Sequence, residues 1–119
     1  MRSTELIYKR GLLVKGVGLC HGVAGSIFAL LSASDVMDSD DRLPLFFLKA
    51  VHLAVLATRW RKMTEKGEMK VPDRPYSLYE GLAGVCVAWT AILERLSPDG
   101  KWQRGLLGMP GFDDLERIL

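Results

Sequence analysis

The tetrapeptide Gly22-Val23-Ala24-Gly25 returns 59 positions later as Gly81-Leu82-Ala83-Gly84, and an uncharged apolar stretch follows each copy. The first continues as Ser26-Ile27-Phe28-Ala29-Leu30-Leu31 and meets no charge until Asp35. The second continues as Val85-Cys86-Val87-Ala88-Trp89 and meets none until Glu94. A helix that is apolar on all sides must be buried on all sides, so each copy reads as an inner helix. Self-similarity at such a period marks a repeat architecture, which constrains this chain more than any single residue does.

The segment between the copies is of the opposite kind. Pro44 suits a first helical turn, with Asp40 and Asp41 ahead of it as caps. Lys49, His52, Arg59, Lys62 and Lys66 then recur at helical spacing, while Phe46, Ala50, Leu53, Ala57 and Trp60 fall elsewhere on the wheel. This predicts one amphipathic outer helix stopping near Gly67, followed by a loop over 68–75 that Pro72 and Pro75 keep from being helical. Ser77-Leu78-Tyr79-Glu80 fits a capping box, predicting an inner helix from there to about Leu96, ahead of Pro98. At the front, Thr4 to Val14 mixes Leu6, Ile7, Leu12 and Leu13 with Glu5, Lys9 and Arg10 and reads as another outer helix. The order outer, inner, outer, inner predicts an all-α chain built as part of an α/α toroid, in two hairpins over 4–34 and 43–96 with a tail over 97–119. Two such units cannot close a barrel, and repeat proteins usually need at least three, so the natural protein is expected to be longer.

Composition narrows the function. Sixteen basic against fourteen acidic residues leave a formal charge of +2, which does not point to nucleic acid. The longest uncharged run, 16–34, holds His21 and four glycines and is a poor membrane span. Two cysteines, Cys20 and Cys86, without a signal-peptide pattern fit free thiols in a reducing, cytoplasmic compartment. The Lys49, Arg59, Lys62, Lys66 stripe leaves a peripheral contact with acidic lipid or a partner open, although such stripes are usually solvated faces.

Aligning the repeats sets Cys20 opposite Tyr79 and His21 opposite Glu80, both pairs at the start of an inner helix and facing one rim. Helix starts favour anionic groups, and a thiolate there is predisposed to metal. Adjacent Cys-His can hold one zinc if the backbone bends, and Gly16, Gly18 and Gly22 supply that freedom. The same spacing also fits a core cysteine beside a capping histidine, since zinc sites usually show three or four ligands. Glu80 reads as a cap, His52 as part of the outer stripe, and Cys86 as packing within its helix.

The stretch Lys15-Gly16-Val17-Gly18-Leu19-Cys20-His21-Gly22-Val23-Ala24-Gly25 resembles the region around the second zinc cysteine and the zinc histidine of lanthionine synthetase C-like (LanC-like) proteins. Pro75-Tyr76-Ser77-Leu78-Tyr79-Glu80-Gly81-Leu82-Ala83-Gly84 resembles the signature of that family's last hairpin, and Met109-Pro110-Gly111-Phe112 is similar to its short C-terminal tail. The likeness is nearer the eukaryotic, glutathione-handling branch than the bacterial peptide cyclases. The resemblance implies the C-terminal part of an α/α toroid, with Cys20 and His21 as zinc ligands and a third ligand, a cysteine, upstream of this chain. It implies a reaction in which a zinc-held thiol adds to a dehydroamino acid: a peptide cysteine making a lanthionine ring in the bacterial branch, glutathione in the eukaryotic one. Lys15 matches a glutathione-contacting lysine of that branch. Lys70 stands where the branch has an arginine, offering charge without a bidentate fork. The resemblance identifies no catalytic acid or base in this chain. A non-catalytic glutathione- or peptide-binding module is the alternative.

Overall fold

The computed structural model describes residues 2–12, 15–39, 42–97 and 108–110. Among them are five helices and no strand: α1 (Arg2–Arg10), α2 (Val23–Met37), α3 (Leu45–Ala57), α4 (Trp60–Glu65) and α5 (Leu82–Leu96).

The repeat seen in the sequence is a repeat of backbone. Helices α2 and α5 are each 15 residues long and start 59 positions apart, behind extended glycine caps, Gly22 and Gly81. Ahead of each start the chain folds back in the same way. The Val23 amide donates to the Gly16 carbonyl (3.2 Å), and at the same offset the Leu82 amide donates to the Pro75 carbonyl (2.8 Å). Gly25 and Gly84 are glycines for a matching reason: a Cβ on either would collide with the carbonyl oxygen of Leu19 or Leu78, six residues earlier in each copy. The two turns also pack on one another, since that Cβ on Gly84 would press on the Leu19 amide as well.

Helix α2 is the centre of the packing and touches α1, α3 and α5. Val23, Ala24, Ile27, Phe28, Leu30 and Leu31 are buried on it, as its lack of a polar face requires. From α3 come Phe47, Ala50, Leu53, Ala54 and Ala57, and from α5 Val85, Ala88, Ala91 and Ile92. The indole of Trp89 reaches across to α3, donating from Nε1 to the Ala54 carbonyl at 2.9 Å. Met109, from the stretch similar to the family's tail, packs on this core; Gly111 and Phe112 lie outside the described residues.

Several local expectations are corrected. The single outer helix is two: at Thr58 the hydroxyl donates to the Val55 carbonyl (2.6 Å), the Thr58 and Arg59 amides turn to Val55 and Leu56, and α4 restarts at Trp60. Asp40 and Asp41, expected as caps of α3, lie outside the described residues; among those described, Asp38 caps the helix. Its two carboxylate oxygens accept the Phe46 (3.2 Å) and Phe47 (2.9 Å) amides. Helix α1 ends at Arg10; at Gly11 a side chain would meet the Ile7 carbonyl and Leu53, while Leu13 and Val14 are not among the described residues.

Candidate metal and thiol site

Cys20 and His21 stand on the turn just ahead of Gly22, exposed, with their side chains converging: Cys20 Sγ lies 3.8 Å from His21 Nε2. This turn is pinned to its counterpart in the second repeat. The Cys20 amide donates to the Tyr79 carbonyl at 2.8 Å, joining two residues that the repeat alignment sets opposite each other. Gly18 permits the approach, since a Cβ there would run into the Tyr79 carbonyl and the Glu80 backbone.

That pinning brings His21 and Glu80, also opposite in the repeat, to one open pocket of about 300 Å³. Lys15 contributes from the first turn, and Lys70 and Asp73 from the loop between α4 and α5, with Val71 and Pro72 as its apolar wall. The loop is anchored beside the pocket by Met69, which is buried in the core and whose amide, with that of Glu68, donates to the Met63 carbonyl (3.2 and 2.8 Å). Three of the four residues singled out from sequence, Lys15, His21 and Lys70, therefore line one space. The fourth, Cys20, is tied to it through its contact with His21.

The donor pair fits a zinc ion. With a zinc–sulfur distance of ~2.3 Å and a zinc–nitrogen distance of ~2.0–2.1 Å, tetrahedral ligands sit about 3.6 Å apart. The observed separation of 3.8 Å needs almost no adjustment. No group of three or more His, Cys, Asp or Glu residues is arranged to hold a metal among the described residues.

A sequence profile of the family described as lanthionine synthetase C-like protein matches residues 1–106. The chain belongs to this family. Glutathione S-transferase LANCL1 of Danio rerio is 35% identical to it over 94 residues, which cover 79% of this chain and 21% of the relative. The LanC-like chain thus spans about a fifth of that relative's length, and its likeness is to the eukaryotic branch. Its all-α architecture is that of part of the family's α/α toroid.

Two side chains of this LanC-like chain stand differently from their sequence reading. Cys86 is exposed on α5, with Thr90 and Leu93 exposed on the following turns of the same helix, so it is not packed within the core as expected. Apolar character all round α5 signalled burial, but only the side that carries Val85, Ala88, Ala91 and Ile92 is packed against the other described helices. Glu80 is not the reciprocal cap. Ser77 Oγ does accept the Glu80 amide (3.2 Å), but the Ser77 amide goes to the Arg74 carbonyl (3.1 Å) and the helix starts only at Leu82, because extended Gly81 intervenes. The Glu80 side chain lines the pocket instead. Glu80 and Asp73 are the pocket residues that motif reasoning passed over, and only the alignment of Glu80 with His21 signalled either.

The basic stripe is divided as well. Lys49 lies over the rings of Tyr8 (5.3 Å) and Phe46 (5.4 Å), and His52 Nδ1 shares a 2.7 Å hydrogen bond with the Tyr8 hydroxyl. These two residues fasten α1 to α3, while Lys62 sits on the separate helix α4. No helix among the described residues is long and apolar enough to cross a membrane.

Proposed function

We propose that this chain supplies Cys20 and His21 to a zinc centre, and Lys15 and Lys70 to a glutathione site, in an enzyme that adds glutathione to dehydroalanine or dehydrobutyrine residues of proteins or peptides. The observation that carries the reading is the convergence of Lys15, His21 and Lys70 on one pocket, with Cys20 Sγ within zinc-sharing distance of His21 Nε2. The name of the LANCL1 relative, a glutathione S-transferase, supports the choice of thiol. In this reading a cysteine upstream of this chain completes the protein ligand set, and 4–34 and 43–96 are two hairpins of a larger toroid.

Zinc bound at Cys20 and His21 would lower the pKa of an incoming thiol and hold it as the thiolate. Lys15 and Lys70 offer two cations to the two carboxylates of glutathione, orienting its sulfur toward the Cys20-His21 end. The sulfur then bonds the β-carbon of the dehydroamino acid, the α-carbon takes a proton, and a thioether results. Cys20 and His21 act as ligands throughout and not as nucleophiles. Free thiols and a glutathione co-substrate both suit a cytoplasmic setting.

The test is incubation of full-length protein with glutathione and a dehydroalanine peptide. Adduct formation that disappears in Cys20→Ala supports the enzyme. Glutathione binding with no adduct in the unmodified protein overturns it in favour of a non-catalytic binding module.

A further inference from the structure

The pocket holds more charge than two lysines need for two carboxylates. Its wall carries Glu80 and Asp73 in addition to Lys15, His21 and Lys70. Glu80 differs from Asp73 in its surroundings. Asp73 is exposed, where an ionic partner stays hydrated and pairing gains little. Glu80 is half-buried, and its Oε2 is shut off from solvent with no hydrogen-bond partner among the described residues. Neither pocket lysine forms an ion pair with it among those residues. A buried acceptor without a donor is unfavourable, so Glu80 gains by turning Oε2 into the pocket it lines, where a cationic donor satisfies it best.

We infer that Glu80 is the anchor for the α-ammonium group of a γ-glutamyl ligand, a specificity residue distinct from the lysines. The inference rests on the glutathione reading above and extends it. A γ-glutamyl thiol tripeptide has two carboxylates, one ammonium and one thiol. The pocket answers these with two lysines, one partly buried carboxylate and the Cys20-His21 pair. The repeat explains the placement: Glu80 is the second-copy counterpart of His21, so the thiol end and the ammonium end of the ligand are held by equivalent positions of two pinned turns. The pocket therefore selects a free α-amino group and rejects γ-glutamyl compounds acylated or deaminated there.

Calorimetric titration of full-length protein with glutathione, and with glutaryl-cysteinyl-glycine, which lacks only the amino group, tests this. The unmodified protein is expected to bind glutathione about ten- to a hundredfold tighter than the deaminated tripeptide, the usual range for a charge-assisted hydrogen bond. Glu80→Gln should remove that preference by weakening glutathione binding alone, and Asp73→Asn should retain it. An equal loss for both ligands in Glu80→Gln would mark Glu80 as merely structural and overturn the inference. So would a preference that survives Glu80→Gln or vanishes in Asp73→Asn. In those cases glutathione still binds the unmodified protein and the functional reading stands; if neither tripeptide binds the unmodified protein, both fail together.

Discussion

Arg95 grips Asp35 with two hydrogen bonds, Nη1 to Oδ1 at 2.8 Å and Nη2 to Oδ2 at 3.1 Å, and so ties the last turn of α5 to the last turn of α2. The arginine side chain is only 4% exposed and the aspartate 22%, so the pair is far better shielded than a surface bridge. Removing the acid takes away the carboxylate that accepts two N–H groups of a buried guanidinium, whereas replacing both partners with apolar groups leaves neither charge behind. Asp35→Asn is expected to cost about 2–4 kcal/mol in urea unfolding, somewhat under the range for fully buried pairs because the aspartate keeps some water. The double variant Asp35→Leu/Arg95→Met should lie closer to the unmodified chain than Asp35→Asn does.

Asp38 reaches from just past the end of α2 to the start of α3, where Phe46 and Phe47 are the second and third helical residues behind Pro44. Their amides are among those a helix start leaves unpaired. Asp38→Ala should therefore destabilise the fold by about 1–2 kcal/mol, read as a Tm lowered by several degrees. Asp38→Asn, which keeps one acceptor oxygen, should fall between.

The repeat makes a sharper forecast at Gly84. A methyl group there meets the Leu78 carbonyl and the Leu19 amide, both backbone, so no side chain can swing aside. Gly84→Ala is expected to cost about 2–3 kcal/mol, at the upper end for overpacking. Gly25→Ala should behave alike, because the Leu19 carbonyl occupies the matching place. Gly67 is the contrast: nothing lies within 4 Å of its added Cβ, and its φ of +77° is the only objection to a side chain. Gly67→Ala should cost about 1–2 kcal/mol, the strain of the left-handed backbone alone. Equal penalties at Gly67 and Gly84 in denaturant titrations would refute this account of the turns.

How much of this was legible depended on whether a feature was periodic. The 59-residue offset carried over from sequence to backbone because the packing of each inner helix on its own turn demands the same small residues, Gly25 and Gly84, in both copies. The apolar stretches marked helices α2 and α5 for the same reason, although one side of α5, with Cys86, Thr90 and Leu93, is exposed. Features that depend on contacts between distant segments were not legible. Asp38 as a cap, Arg95 on Asp35 and Trp89 on Ala54 join residues 8 to 60 positions apart, and nothing in local spacing announces them. At the site, Cys20, His21, Lys15 and Lys70 were marked by a family motif, but Glu80 was misassigned. Its capping pattern was half satisfied, and the extended Gly81 that separates it from the helix leaves no trace in the pattern itself.

Cys20 and Cys86 are both free and exposed, yet only Cys20 has an imidazole 3.8 Å away, so the two thiols give an internal comparison for metal binding. Without metal, a small alkylating reagent should modify both in the native chain, and mass spectrometry resolves the two sites. Zinc that binds the Cys20-His21 pair withdraws one thiolate from reaction, since the same lone pair cannot serve the metal and the reagent. Added zinc should slow alkylation of Cys20 and leave Cys86 unchanged, with the Cys20 rate reduced to about half when free zinc equals its Kd. His21→Ala should raise the zinc concentration needed while leaving the metal-free rate at Cys86 as it was. Protection of both cysteines together would mean that zinc acts by bridging or precipitating the chain, and protection that survives His21→Ala would remove His21 from the ligand set.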